Sequence, residues 1–167
     1  MRLIAITGML HQPKARFTQA LMGVLSAETD RLALIDNSEA PLAIAIDGLT
    51  RHRLAGGCVC CSLAPALISQ LGRLEADYAL LPVSALADPG TLALILDNLR
   101  GERIQITTVS LIDNLTQTRK PYLTRKLTYY SDFQVYEPYD FSEAVHAAIG
   151  LPLLRERHLL STAAHPA

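Results

Sequence analysis

The 167-residue sequence has little charge, no long hydrophobic run and no cysteine outside one short stretch. Each lack excludes something. Charged residues make up 19% and the formal net charge is -1, which leaves no basic footprint for nucleic acid and no polybasic membrane anchor. Half the residues are hydrophobic, so the composition is not that of a disordered chain. At the N-terminus Arg2 precedes a short apolar run, Leu3 to Ile6, which Gly8 breaks before the polar His11-Gln12-Pro13-Lys14. That run is too short for a secretory signal and far too short to span a bilayer. No repeat, low-complexity tract or linker separates the chain into parts, and its length suits one domain with a good core. The absence of tryptophan decides nothing. Free thiols and the lack of an export signal give a reducing cytoplasm as the expected location.

What is present concentrates in Gly56-Gly57-Cys58-Val59-Cys60-Cys61, which holds all three cysteines of the chain. Three thiols in four residues make a poor disulfide framework, since the number is odd and neighbouring cysteines bridge only with strain. Thiolates packed this closely on a glycine-led loop suit a soft or borderline metal such as Zn(II) or Cu(I). Two other readings stand beside it: buried cysteines serving as small hydrophobes, and a redox thiol pair.

Apolar runs of strand length alternate with amphipathic segments. The strands are expected at Arg2–Thr7, Arg31–Asp36, Leu42–Ile46, Tyr78–Val83, Arg103–Ile112 and Asp132–Tyr136. Helices are expected at Lys14–Ser26, Leu63–Ala76, Pro89–Arg100, Leu115–Tyr130 with a break at Pro121, and Ser142–Ile149 with Ser142 as cap. From Leu151 onward a loosely attached tail is expected, beyond a domain over residues 1–150. Strands apolar on both faces and alternating with helices imply an α/β fold, a mostly parallel sheet covered by helices on both sides. Ligands of such sheets sit at the carboxyl ends of the strands, which directs attention to the loop after the first strand and to the cysteine loop.

The loop Gly8-Met9-Leu10-His11-Gln12-Pro13-Lys14-Ala15 meets the phosphate-binding pattern G-x-x-x-x-G-K-[ST] at Gly8 and Lys14 and fails it at Pro13 and Ala15. Proline has no N–H to give a phosphate, and alanine has no hydroxyl for Mg²⁺. Read plainly, the stretch is a strand-to-helix turn with proline at the first helical position, and Lys14 and Arg16 are surface charges of that helix. Asp113 either serves a site after its strand or caps the next helix with Asn114. Tyr129, Tyr130, Tyr136 and Tyr139 read as packing, and the basic run Arg119–Lys126 as a solvated helix face. His146, His158 and His165 read as bystanders.

Taken together, these stretches resemble the CobW-like P-loop GTPases, the group that includes HypB and UreG. Residues Gly57-Cys58-Val59-Cys60-Cys61 look like that family's G-C-x-C-C signature, and Ser84-Ala85-Leu86-Ala87-Asp88-Pro89 like its E-[TS]-S-G-L-A-D-P segment. The loop at Gly8–Ala15 stands where the family has its phosphate loop. Ser131 to Asp140 aligns with the strand ending in the guanine-reading N-K-x-D. The resemblance spans roughly residues 1 to 141, and the chain ends before the family's C-terminal domain would begin.

The departures cluster on the nucleotide side. Pro13 and Ala15 replace a glycine and a hydroxyl, Pro82 and Ala85 replace the glutamate and glycine of the second segment, and Glu137-Pro138-Tyr139-Asp140 keeps only the aspartate of the last. The resemblance therefore implies a pseudo-GTPase that keeps its metal thiolates, a binding or relay protein for a transition metal, zinc foremost. GTP and Mg²⁺ are not expected as cofactors, and no catalytic residue is assigned. Gly8, Lys14 and Asp140 are the remnants of the nucleotide site. The metal ligands are Cys58, Cys60 and Cys61, with His11, His52 and Glu39 as outside candidates for the place three thiolates leave open. The alternatives are a divergent nucleotide hydrolase and a metal-bridged dimerisation module. The partner would be a second copy, a related GTPase or a metal-receiving client, with no nucleic acid and no membrane.

Overall fold

The computed structural model describes residues 1–150. The tail from Leu151, with His158 and His165, lies outside the described residues. Six strands are β1 (Arg2–Gly8), β2 (Leu32–Asp36), β3 (Thr50–Arg53), β4 (Tyr78–Pro82), β5 (Gln105–Ile112) and β6 (Phe133–Tyr136). They form one sheet in the order β3-β2-β4-β1-β5-β6, with every pairing parallel. Five helices connect them: α1 (His11–Leu25), α2 (Ala64–Arg73), α3 (Pro89–Leu99), α4 (Asn114–Arg119) and α5 (Pro121–Tyr129). A sixth, α6, covers residues 141–150. The result is a single α/β domain of P-loop NTPase-like architecture.

Both faces of the sheet are buried because successive residues of each central strand supply different faces. On one face Leu3 and Ala5 of β1, Ala33 and Ile35 of β2 and Leu81 of β4 meet Leu67 and Leu71 of α2 and Leu92 and Leu96 of α3. On the other, Ile4 and Ile6 of β1, Leu34 of β2 and Leu80 of β4 meet Phe17, Leu21 and Leu25 of α1. Ala144, Val145 and Ala148 of α6 close that second face. Cys58, Val59 and Cys60 belong to the first core, which anchors the cysteine loop through its own apolar side chains.

Three expectations are corrected. The run Leu42–Ile46 is not a strand; residues 41–46 hold no regular structure. Its alternation reflects burial without a ladder, for Leu42 and Ile44 lie over the second face of the sheet as part of its core. The third strand is instead Thr50-Arg51-His52-Arg53, a short, largely exposed edge strand whose polar sequence carries no burial signal. Helix α1 begins at His11 rather than Lys14, because a proline in the first turn takes a position where no intrahelical N–H is needed. The eight-residue loop thereby contracts to Met9 and Leu10. Lastly, Asp140 rather than Ser142 caps α6: its Oδ1 accepts from the N–H of Ser142 at 3.0 Å and of Glu143 at 3.2 Å.

Other local readings hold. The helical stretch breaks before Pro121, where Lys120 leaves the α region (φ -133°, ψ 59°), as the residue before a proline tends to do. Of the two readings open for Asp113, the cap is the one seen: it accepts from the N–H and the hydroxyl of Thr116 at 2.7 and 2.6 Å at the start of α4. Among the described residues, no helix is long and apolar enough to cross a membrane.

Candidate metal centre and the lysine beside it

All six strands run the same way, so the loops after β1, β2, β3 and β4 gather at one edge of the sheet. The cysteine loop follows β3 directly. Gly56 adopts φ +82°, a conformation open to glycine, and starts the turn. A Cβ on Gly57 would lie 2.2 Å from the Ser62 hydroxyl, so a side chain there would make that hydroxyl turn away. The turn then closes on the Cys58 carbonyl, which accepts from the N–H of Cys61 at 3.1 Å and of Leu63 at 3.0 Å. Cys58 and Cys60 are buried, at 6% and 7% exposure, while Cys61 is exposed.

This turn brings the three Sγ atoms within 4.8 Å of one another. Two of them are joined: Cys58 and Cys60 form a disulfide across a Cα–Cα distance of 5.3 Å, and Cys61 stays free. The expectation of three free thiols is thus corrected, because a single intervening residue in a tight turn lets both sulfurs face the same side. The donor set fits a thiophilic metal once that bridge is reduced. Zn–S bonds of about 2.3 Å put the sulfurs of a tetrahedral site roughly 3.8 Å apart, within the spread seen here.

His11, His52 and Glu39 stand outside this sulfur group. His52 sits in edge strand β3, paired in register with Ile35. His11, the first residue of α1, places its Nδ1 3.3 Å from Glu39 Oε2. Glu39 is committed elsewhere: its Oε1 accepts from Lys14 Nζ at 2.8 Å and from the N–H of Ala85 at 2.6 Å.

Lys14 is no surface charge. It is wholly buried, since a helix starting at His11 turns this position inward toward the end of β4, where Nζ also donates to the Val83 carbonyl at 2.7 Å. Burial pulls the Lys14 ammonium below its ordinary value, and the bond and charge of Glu39 oppose that fall. For Glu39 burial pushes upward. The bonds from Lys14 and Ala85 outweigh it and hold the carboxyl down at about 2. Arg16 does remain at the surface, over the ring of Phe141.

The other nucleotide-site candidates have structural occupations. Gly8 ends β1 with φ +144°, and a Cβ there would lie 2.6 Å from the Leu111 carbonyl of β5. Asp140 is the cap of α6 described above.

Sequence reasoning passed over the residue that ties these regions together. Asn37 donates through Nδ2 to the carbonyls of Leu54 (2.8 Å) and Gly57 (3.1 Å), and its Oδ1 accepts from the N–H of Ser84 at 3.2 Å. One side chain therefore fixes the cysteine loop to the loops after β2 and β4. Its neighbour Asp36 steadies the same segment, accepting from the N–H of Ser38 and Leu42 and pairing with Arg53 at 2.8 Å. Four polar residues, Asp36 to Glu39, beginning at the last residue of a fully buried strand, were the available signal.

No protein-family model and no curated protein sequence matches the chain. Among solved structures, Zn(II)-bound YjiA GTPase from E. coli is similar at a TM-score of 0.53 and 13% identity, over 81% of this chain and 48% of that one. The chain spans about half the length of that neighbour, and at this identity the likeness is one of fold.

Proposed function

We propose that the protein binds or relays a transition metal, zinc foremost, through the reduced cysteine loop, on a fold of the CobW-like kind whose nucleotide site is retired. The observation that carries the reading is the convergence of three sulfur ligands within 4.8 Å at the carboxyl edge of a parallel sheet. The fold likeness to a zinc-bound GTPase supports it. Metal would be cargo: three thiolates leave a tetrahedral ion one donor short, and an exposed Cys61 lets a client or a second chain reach the open position. Thiolates are the binding form, so the reading places the protein in a reducing compartment such as the cytoplasm.

Retirement of nucleotide binding rests on Pro13, Ala15, Pro82, Ala85 and Pro138, and on a Lys14 already engaged by Glu39 and Val83. Each lost charge-assisted contact to a nucleotide is worth roughly 1.5–3 kcal/mol. Calorimetric titration with GTP and Mg²⁺ is expected to show no binding at micromolar concentrations; micromolar affinity would restore the hydrolase reading.

The Cys58–Cys60 disulfide favours a second reading, a redox thiol pair. One experiment separates the two. Reduced, metal-free protein is expected to take up about one zinc per chain with release of protons, and the oxidised protein none. Replacing Cys58, Cys60 and Cys61 by serine is expected to abolish uptake and to leave the circular dichroism spectrum intact. Retention of zinc by that triple variant would place the site elsewhere. Light scattering on the loaded protein reads whether the missing donor comes from a second copy, as an increase in mass reversed by a chelator.

A further inference from the structure

At the same edge of the sheet as the cysteine loop, an ammonium, a main-chain N–H and an imidazole converge on one carboxylate. Lys14 Nζ and the main-chain N–H of Ala85 both point to Glu39 Oε1, at 2.8 and 2.6 Å. His11 Nδ1 lies 3.3 Å from Oε2. His11 also opens the 15-residue helix α1, whose first N–H groups have no intrahelical acceptor and gather partial positive charge. An ammonium, a main-chain N–H and an imidazole around one carboxylate make a set suited to an oxyanion. The donors come from regular elements or lie beside one: α1 supplies Lys14 and His11, and Ala85 follows the end of β4 closely. The acceptor comes from the irregular loop after β2, with about a third of its side chain exposed (34%).

We propose that Glu39 is an internal plug in an oxyanion site, its carboxylate standing where a phosphate group would be held by Lys14, His11 and the N–H of Ala85. The inference deepens the retired-nucleotide part of the reading above and is independent of the cysteine loop. An ordinary ion pair between a helix and a loop needs only the lysine. Recruitment of a main-chain N–H from a third segment marks a cradle. The plug competes as a tethered group, at an effective concentration in the millimolar range or above. Free oxyanions well below that effective concentration therefore do not displace it, and loss of the carboxylate opens the site to them.

The test is thermal unfolding of the full chain at neutral pH, in inorganic phosphate against chloride at matched ionic strength. The proteins are the wild type, Glu39→Ala, Glu39→Gln and the double variant Lys14→Met/Glu39→Ala. Both single variants are expected to gain stability with phosphate along a saturating curve. At ten times the dissociation constant the gain in Tm is roughly 3–6 °C. The wild type and the double variant are expected to gain none. Phosphate responses no larger than that of the wild type in both single variants would overturn the proposal, as would an equal response in the wild type. If the single variants are unfolded in chloride, recovery of the fold in phosphate supports the plug. Failure to fold in either salt overturns it, since the carboxylate is then a structural member with no anion site behind it. Zinc uptake by the wild-type cysteine loop is read separately, so either inference can fail alone.

Discussion

The cysteine loop and the Lys14–Glu39 contact lie at the same edge of one sheet and differ in how they are held. The cysteine loop supplies its own chemistry: three sulfurs meet because of a local turn, and one outside side chain, Asn37, pins it. The charged contact has no local logic. Its members come from α1, from the loop after β2 and from the loop after β4, and they meet only because the sheet order brings those ends together. A site made by a local turn can be read from the chain. A site made by topology cannot.

Substitutions can break this comparison in order of expected effect. Lys14→Ala should be the most damaging to the fold, for it empties a wholly buried position and strips donors from both Val83 and Glu39. A loss of roughly 2–4 kcal/mol is expected in denaturant unfolding. A loss under half a kilocalorie would mean that desolvating the ammonium cancels what its bonds contribute, and that the buried pair does little for stability.

Asn37→Ala probes the link between the two regions. Three hydrogen bonds disappear, and the buried carbonyl of Leu54 loses a donor, so stability should fall by about 1–3 kcal/mol. Zinc affinity of the reduced protein should fall with it, by about 10–100-fold, as outer supports of a metal site commonly do. Unchanged zinc affinity alongside lost stability would show that the cysteine turn holds its geometry unaided.

The smallest effect is one of pH. The Glu39 carboxyl is held at about 2, below its ordinary 4.5, so its contribution to stability is fully present above about 4.5 and is lost as pH falls through about 2. Glu39→Gln cannot titrate. Its deficit against the wild type should therefore be greatest near neutrality and close progressively between pH 5 and 2 in chemical denaturation curves. A deficit constant across that range would detach the stability of the region from the charge on Glu39.

Particular elements show why some of the structure was legible. β1, β2 and β4 are short continuous apolar runs, and α1 and α3 carry their buried residues at helical spacing, so composition and period identified them. Leu42–Ile46 carried the same kind of signal and misled, because burial over a sheet and burial within one demand the same side chains. Thr50–Arg53 gave no signal at all, since an edge strand with both faces open can be polar. For Asp113 the sequence left a site carboxylate and a helix cap open, and the fold chose the cap, whereas the capping role of Asp140 needed the start of α6 to be known.

By itself the sequence determined the alternation of strand and helix, the burial of both sheet faces and the donor atoms of the cysteine loop, because each is a property of residues close together in the chain. The tertiary structure alone decided that Lys14 is buried, that Glu39 fills the space before it and that Asn37 ties the cysteine loop to the sheet edge. Those contacts join residues up to 69 positions apart, as in Lys14 to Val83. Only the order in which parallel strands pair, set by packing of the whole domain, brings such residues within bonding distance.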